Sequence, residues 1–169
     1  MSLKIVPPSL DYEASYSAAS YEHIELNDDI MWNPEISSTS FADYVAFLLR
    51  YETNPPAGHV PGTFYWLIVD DDTYAGEMNI RHYLNDSLKR LGGHIGYKVR
   101  PSQRRKGYGK MLCAHGIQAV RKLGVTDILI TCNDDNIGSQ KIIEANGGIL
   151  KDKVDNNRGV LTRRYWIYG

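Results

Sequence analysis

The stretch Lys98–Lys110 (KVRPSQRRKGYGK) constrains this chain more than any other. It holds six positive charges and no negative one. The residues before it, His94–Val99, read as a strand that Pro101 stops. Those after it, Tyr108–Leu123, repeat apolar residues at helical spacing and end at Gly124, a helix-terminating glycine. The segment is therefore a strand-to-helix junction, with Gly107 and Gly109 at the helix start. Glycine lets a backbone come close to a ligand. Amides at a helix N-terminus, with the helix dipole behind them, favour a phosphate. A charge run alone reads as a solvated turn, but the Gly-x-Gly at this junction favours phosphate binding. Two common phosphate patterns fail. A dinucleotide fingerprint needs glycine at Leu112, and a P-loop needs glycine at Arg104 and Ser or Thr at Met111.

The remaining chain supplies one mixed α/β domain, 1–169, with a central sheet. Leu3–Val6 reads as a first strand, stopped by Pro7-Pro8. A helix follows Ser9, and a second runs over Ser40–Tyr51 with Phe41, Tyr44, Val45, Leu48 and Leu49 on one face. Thr63–Val69 and Thr73–Tyr83 read as a hairpin, Asn85–Leu91 as a helical turn and Val125–Thr131 as a buried strand. Asn136–Ala145 is a helix, and Ile149–Val154 with Val160–Ile167 make a final hairpin. At 43% hydrophobic and 23% charged residues, a chain of 169 residues can bury a core, which excludes disorder as its main state. Two cysteines without a Cys-x-x-Cys pair fit a reducing cytoplasm. The five histidines show no ligand spacing, so no metal is expected. No apolar run is long enough for a membrane span.

What the junction spells, Arg104-x-x-Gly107-x-Gly109, resembles the acetyl-CoA pyrophosphate loop of the GNAT N-acetyltransferase superfamily. The setting strengthens the likeness: strand HIGYKV, then RPSQ, RRKGYG and an amphipathic helix, then strand ILIT, Asn136-x-x-Ser139 opening another helix, and Asn146-Gly147-Gly148. The chain is also similar to a group of uncharacterised bacterial GNAT proteins with GHIGY, VRPS and ITCNxxN stretches and a C-terminal RYW. The resemblance implies an acetyl-CoA-dependent N-acetyltransferase that needs no metal. In it, two neighbouring parallel strands, here His94–Val99 and Val125–Thr131, splay apart around the thioester. Residues 1–60 would be the acceptor-side helices, 61–155 the acetyl-CoA-binding core and 156–169 the C-terminal strand. Backbone around Tyr97, Lys98 and Val99 would meet the pantetheine. Arg104, Arg105, Lys106, Gly107, Tyr108, Gly109 and Lys110 would hold the pyrophosphate, Asn136 would bind the pantetheine arm, and Ser139 would cap its helix or touch CoA.

Acetyl transfer needs a base for the amine and a proton for the departing thiolate. His94 stands where many family members carry glutamate, and it is also readable as a structural histidine. Glu77 is the other candidate base, with His82 behind it. The tyrosine that many members carry seven residues after the asparagine is Ile143 here, so either Tyr97 or Tyr108 replaces it or the CoA thiolate leaves unassisted. That absence keeps open a non-catalytic acyl-CoA-binding regulatory domain.

The net charge of −1 hides an asymmetry. Residues 1–49 hold one positive charge and eight negative ones, namely Asp11, Glu13, Glu22, Glu25, Asp28, Asp29, Glu35 and Asp43. With Tyr12, Tyr16, Tyr21, Trp32 and Tyr44 they suggest an acidic, aromatic wall for a small cationic amine. Glu22, Glu25 and Trp32 are its candidate residues, beside the plain alternative of a solvated acidic surface. A nucleic-acid role fits poorly, since the chain as a whole is not basic and the loop lacks stacking aromatics other than Tyr108. The reading allows a homodimer.

Overall fold

The computed structural model describes residues 2–28 and 32–169; Asp29, one of the acidic residues above, lies outside them. Strand β1 (Leu3–Val6) leads through a single 3-10 turn, Leu10–Tyr12, into helix α1 (Glu13–Glu25). Helix α2 (Phe41–Arg50) follows, capped by Ser40, whose hydroxyl accepts from the Asp43 amide at 3.1 Å. Strands β2 (Gly62–Val69) and β3 (Thr73–Arg81) form the expected hairpin. A short helix, α3 (Asp86–Arg90), precedes β4 (Ile95–Val99), and a turn at Pro101–Gln103 leads to α4 (Tyr108–Lys122). The C-terminal part is β5 (Ile128–Asn133), α5 (Ile137–Ala145), β6 (Ile149–Asp155) and β7 (Leu161–Ile167).

The strands expected in one mixed sheet are divided between two antiparallel sheets. One has the order β1-β2-β3-β4 and the other β5-β7-β6. They touch at a single bridge, Gly93 against Ile130. Beyond it β4 and β5 form no ladder, so among the described residues the edge of β4 that faces β5 has no strand partner. This is the gap that the expected splay requires. Gly93 permits the touch in two ways. Its φ is +64°, and a Cβ there would sit 2.4 Å from the Leu129 carbonyl oxygen.

Two cores hold the layers. Met78, Ile80, Ile95, Leu112, Cys113, Ile130 and Tyr165 fill the core between the sheets and α4. On the opposite face of β2 and β3, Trp66, Ile68 and Tyr74 pack against Tyr16 of α1 and Tyr44, Val45 and Leu48 of α2. Strand alternation produces this division, sending successive side chains to opposite faces.

Candidate active site

The β4-to-α4 junction is built by backbone. Gly107 is the N-cap of α4, left-handed at φ +84°, and no side chain caps the helix. The first intrahelical donor is Met111, bonded to the Gly107 carbonyl at 3.2 Å. The amides of Gly109 and Lys110 precede it and have no acceptor within the helix. A Cβ at Gly107 would meet nothing within 4 Å, so this glycine is required by its φ and not by crowding. Gly109 differs: its Cβ would lie 2.7 Å from Ile142 Cδ1, so it lets α4 and α5 approach. Arg105 is also left-handed, at φ +65°, and exposed.

Not all the basic residues point outward. The Arg104 Nε donates to the Val99 carbonyl at 3.4 Å, and its guanidinium pairs with Asp28. Asp28 is shared with His23 Nδ1 at 3.1 Å. Arg100 binds Glu22 at 2.7 Å, and Glu22 also accepts from the Ser102 amide at 2.9 Å. Lys106 donates to Gln103 at 2.8 Å. Exposed Arg105 and Lys110 remain on the outer surface of the junction. Tyr108 is buried in the α4 core.

These contacts revise the expected acceptor wall. Glu22 anchors α1 to the basic turn through Arg100 and Ser102. Trp32 is buried in an aromatic cluster, 5.1 Å from Phe41 between ring centres, and its indole donates to the Thr39 carbonyl. Glu25 stays exposed on α1.

Glu77 and His94, the two candidate bases, have different surroundings. Glu77 lies on β3 directly across from Lys98 of β4 and is 7% exposed. It lines a small pocket with Tyr16, Ser20, His23, Tyr74 and Lys98. Burial pushes its carboxyl above the ordinary range, while the Lys98 charge and hydrogen bonds from Tyr74 and Tyr16 pull the other way. The Tyr16 hydroxyl donates to Glu77 at 3.4 Å and lies 2.9 Å from the Tyr44 hydroxyl.

His94 sits where the sheets touch. Its amide donates to the Leu129 carbonyl at 2.7 Å, and its Nδ1 accepts from the Leu129 amide at 3.0 Å. With Nδ1 so engaged, the neutral ring carries its proton on Nε2. The ring has no lone pair left to act as a base unless the sheet junction opens. Burial lowers its pKa. His94 is four residues from Lys98, about 13 Å along an extended strand. His82 bonds the Thr63 hydroxyl at 2.8 Å on β2.

Tyr97 turns to the other face of β4, reaches across to α5 and bonds the Ser139 hydroxyl at 2.7 Å. Burial raises its pKa. Ser139 lies one helical turn before Ile143, so the Tyr97 hydroxyl stands beside the helix whose expected acid is missing. The Asn136 carbonyl caps α5 through the Ser139 amide at 3.0 Å. Glu77 of β3 and Tyr97 of β4 thus turn to opposite faces of the first sheet. The pairing of Tyr97 with α5 had no signal in the sequence, because it depends on how far α5 leans over the gap. Among the described residues, no cluster of His, Cys, Asp and Glu is arranged to hold a metal.

Comparison with known proteins adds the family. The model of the acetyltransferase (GNAT) domain matches residues 3–149. An N-acetyltransferase of unknown role from Bacillus subtilis strain 168, YjdG, is 32% identical over 108 residues, which is 61% of this chain and 58% of that relative. The match therefore spans little more than half of that relative's length. Among solved structures, Mycobacterium smegmatis RimJ in complex with CoA-disulfide superposes with a TM-score of 0.74 at 15% identity, covering 99% of this chain and 82% of RimJ. The microcin C7 self-immunity acetyltransferase MccE, in complex with acetyl-CoA and AMP, gives 0.69 at 16% identity, covering 99% of this chain and 92% of MccE. At these identities the superpositions speak for the fold.

Proposed function

Since this chain belongs to the GNAT acetyltransferase family, we propose that it transfers the acetyl group of acetyl-CoA to a primary amine by direct attack in a ternary complex. The observation that carries the reading is the junction itself: an uncapped helix N-terminus led by left-handed Gly107, beside a strand edge without a partner. A pyrophosphate matches the first and an extended pantetheine arm matches the second. Residues 61–155 would contain both, and every residue assigned lies in one chain, so a monomer or a homodimer could serve. The free, buried cysteines suit a reducing cytoplasm. Among the described residues, no helix is long and apolar enough to cross a membrane.

Acetyl-CoA supplies the activated thioester carbon. The Gly109 and Lys110 amides, with Arg105 and Lys110 side chains, would hold its phosphates. Glu77 takes the proton of the incoming ammonium, directly or through one water. Burial raises its pKa from the ordinary carboxylate value, which makes it a stronger base than a solvated glutamate. An amide on the open edge of β4 donates to the carbonyl oxygen as charge develops there; such a donor is worth about 3 kcal/mol. As the nitrogen–carbon bond forms and the carbon–sulfur bond breaks, Tyr97 gives its proton to the sulfur and is reprotonated, through solvent, by the second proton that the nitrogen sheds on becoming an amide. Arg104 is a positioning residue, tying the loop to Asp28 and Val99.

The expected cationic preference of the acceptor loses two of its three residues to structural roles, which leaves Glu25. A non-catalytic acyl-CoA-binding domain is favoured by one observation, the full burial of Ile143 at the usual acid position. An assay of thiol release separates the two readings. The enzyme releases CoA only when an amine is present, whereas a binding domain holds acetyl-CoA and releases none.

A further inference from the structure

Building on the acetyltransferase reading, we propose that the acceptor amine carries an anionic group, a carboxylate or a phosphate, and that a donor-lined pocket at the β6–β7 turn holds it. The pocket has a volume of about 340 Å³ and lies between the loop before β4, the end of β5 and the β6–β7 turn. That size suits a small-molecule site.

Its orientation follows from strand alternation. Ile128, Ile130 and Cys132 of β5 turn into the α4 core, so Thr131 and Asn133 turn to the other face. Asn133 is paired with Thr162 of β7, which shares that face. In the first sheet Met78, Ile80 and Ile95 also turn toward α4, so Glu77 and Lys98 turn away from it. The pocket and the proposed base thus belong to the same side of the molecule.

The chemistry of the lining selects the ligand. Asn133, Asn156, Arg158 and Thr162 supply N–H and O–H donors, and among the described residues no carboxylate lines the pocket. The Asn156 carbonyl oxygen is taken by the amides of Arg158 at 2.8 Å and Val160 at 3.2 Å, which leaves its NH2 group to donate. The Arg158 side chain is exposed. Arg90 adds a second guanidinium at the turn, bonded to the Asp155 carbonyl at 2.8 Å and to Asn157 at 3.0 Å. The nearby carboxylates are engaged. Asp155 accepts from the Asn157 amide at 2.6 Å, and Asp134 pairs with Lys153 at 2.9 Å and with Arg163 at 2.5 Å. A cationic acceptor would meet the Arg158 guanidinium in the pocket lining, while an oxyanion would meet donors.

Two measurements test this. In the first, inorganic phosphate is titrated into CoA-saturated protein, whose α4 junction is already filled, and backbone amide resonances are followed. Shifts at Asn133 and Asn156–Val160 that disappear in Arg158→Ala are expected. Shifts confined to other regions, or unchanged in the variant, would overturn the proposal. In the second, amines of matched size bearing a carboxylate, a phosphate, a hydroxyl or a second amine are compared by thiol release. The carboxylate or the phosphate compound should lead, and which one does identifies the group. Arg158→Ala should lower kcat/KM for the leader about tenfold to a hundredfold through KM, and lower it for the hydroxyl compound by a clearly smaller factor. Preference for the diamine, or equal losses for all amines, would overturn the anion site while leaving acetyl transfer intact. Phosphate binding at the pocket with no amine acetylated would instead overturn the acetyltransferase reading.

Discussion

Glu77 and His94 show how two residues with similar prospects in the sequence part company in the fold. Both are buried, at 7% and 5% exposure. The histidine's available nitrogen is used to join the sheets, whereas the carboxylate faces a pocket. Glu77→Gln should lower kcat by about a hundredfold to ten-thousandfold and abolish the acidic limb of the pH–rate profile. In the wild type that limb should lie above 4.5, the ordinary value, because burial disfavours the charged form. The same shift appears in stability. The folded protein keeps the Glu77 proton to higher pH than the unfolded chain does. Its contribution to stability is full below 4.5 and declines as pH rises through the folded-state value; Glu77→Gln should remove that decline in pH-dependent denaturation. His94→Ala should behave oppositely, costing about 1–3 kcal/mol in chemical denaturation by leaving the Leu129 amide unpaired. Its acidic limb should be unchanged.

At the scale of elements, α4 has a structural end and an end that the proposed function assigns to phosphate binding. Its C-terminus closes at Gly124, left-handed at φ +87°, as the glycine position suggests. Its N-terminus departs from ordinary capping practice, since Gly107 offers no side-chain acceptor. Gly107→Glu should weaken acetyl-CoA binding by at least tenfold in calorimetry, because a carboxylate would repel phosphate and strain the φ. Retained affinity would remove the loop from the site. The element order was legible from periodicity and from glycine and proline punctuation, and β1, β3 and α4 begin at the residues where the sequence places them. Strand β5 begins at Ile128, later than the apolar run suggests, because register is set by its partner β7, which sequence pattern does not reveal. The splay of β4 from β5 was expected only through the family resemblance, since residue periodicity does not show which strands share a ladder.

For the whole molecule, the charge asymmetry has a structural answer. The acidic N-terminal residues do not simply form a surface for a cation. Glu22 and Asp28 meet Arg100 and Arg104, so the two oppositely charged regions hold each other together. Burial opposes ionisation of Glu22, but hydrogen bonds from Arg100 and Ser102 outweigh it and lower the pKa. The stability this adds is present above the ordinary carboxylate value and is lost as pH falls through the lowered one. Glu22→Gln should therefore flatten the acid side of the stability profile. The sequence showed the opposed charges and the basic Gly-x-Gly junction, but side-chain pairings across more than seventy residues are visible only in the fold.

The account stands most directly on amine-dependent release of CoA, followed by thiol detection in wild-type protein and in Glu77→Gln, with acetyl-CoA binding measured on the same samples. It predicts that both proteins bind acetyl-CoA with similar affinity, that the wild type releases thiol only when an amine acceptor is added, and that Glu77→Gln is slower by at least a hundredfold. Undiminished release by Glu77→Gln, or acetyl-CoA binding without release in the presence of any amine, would contradict it.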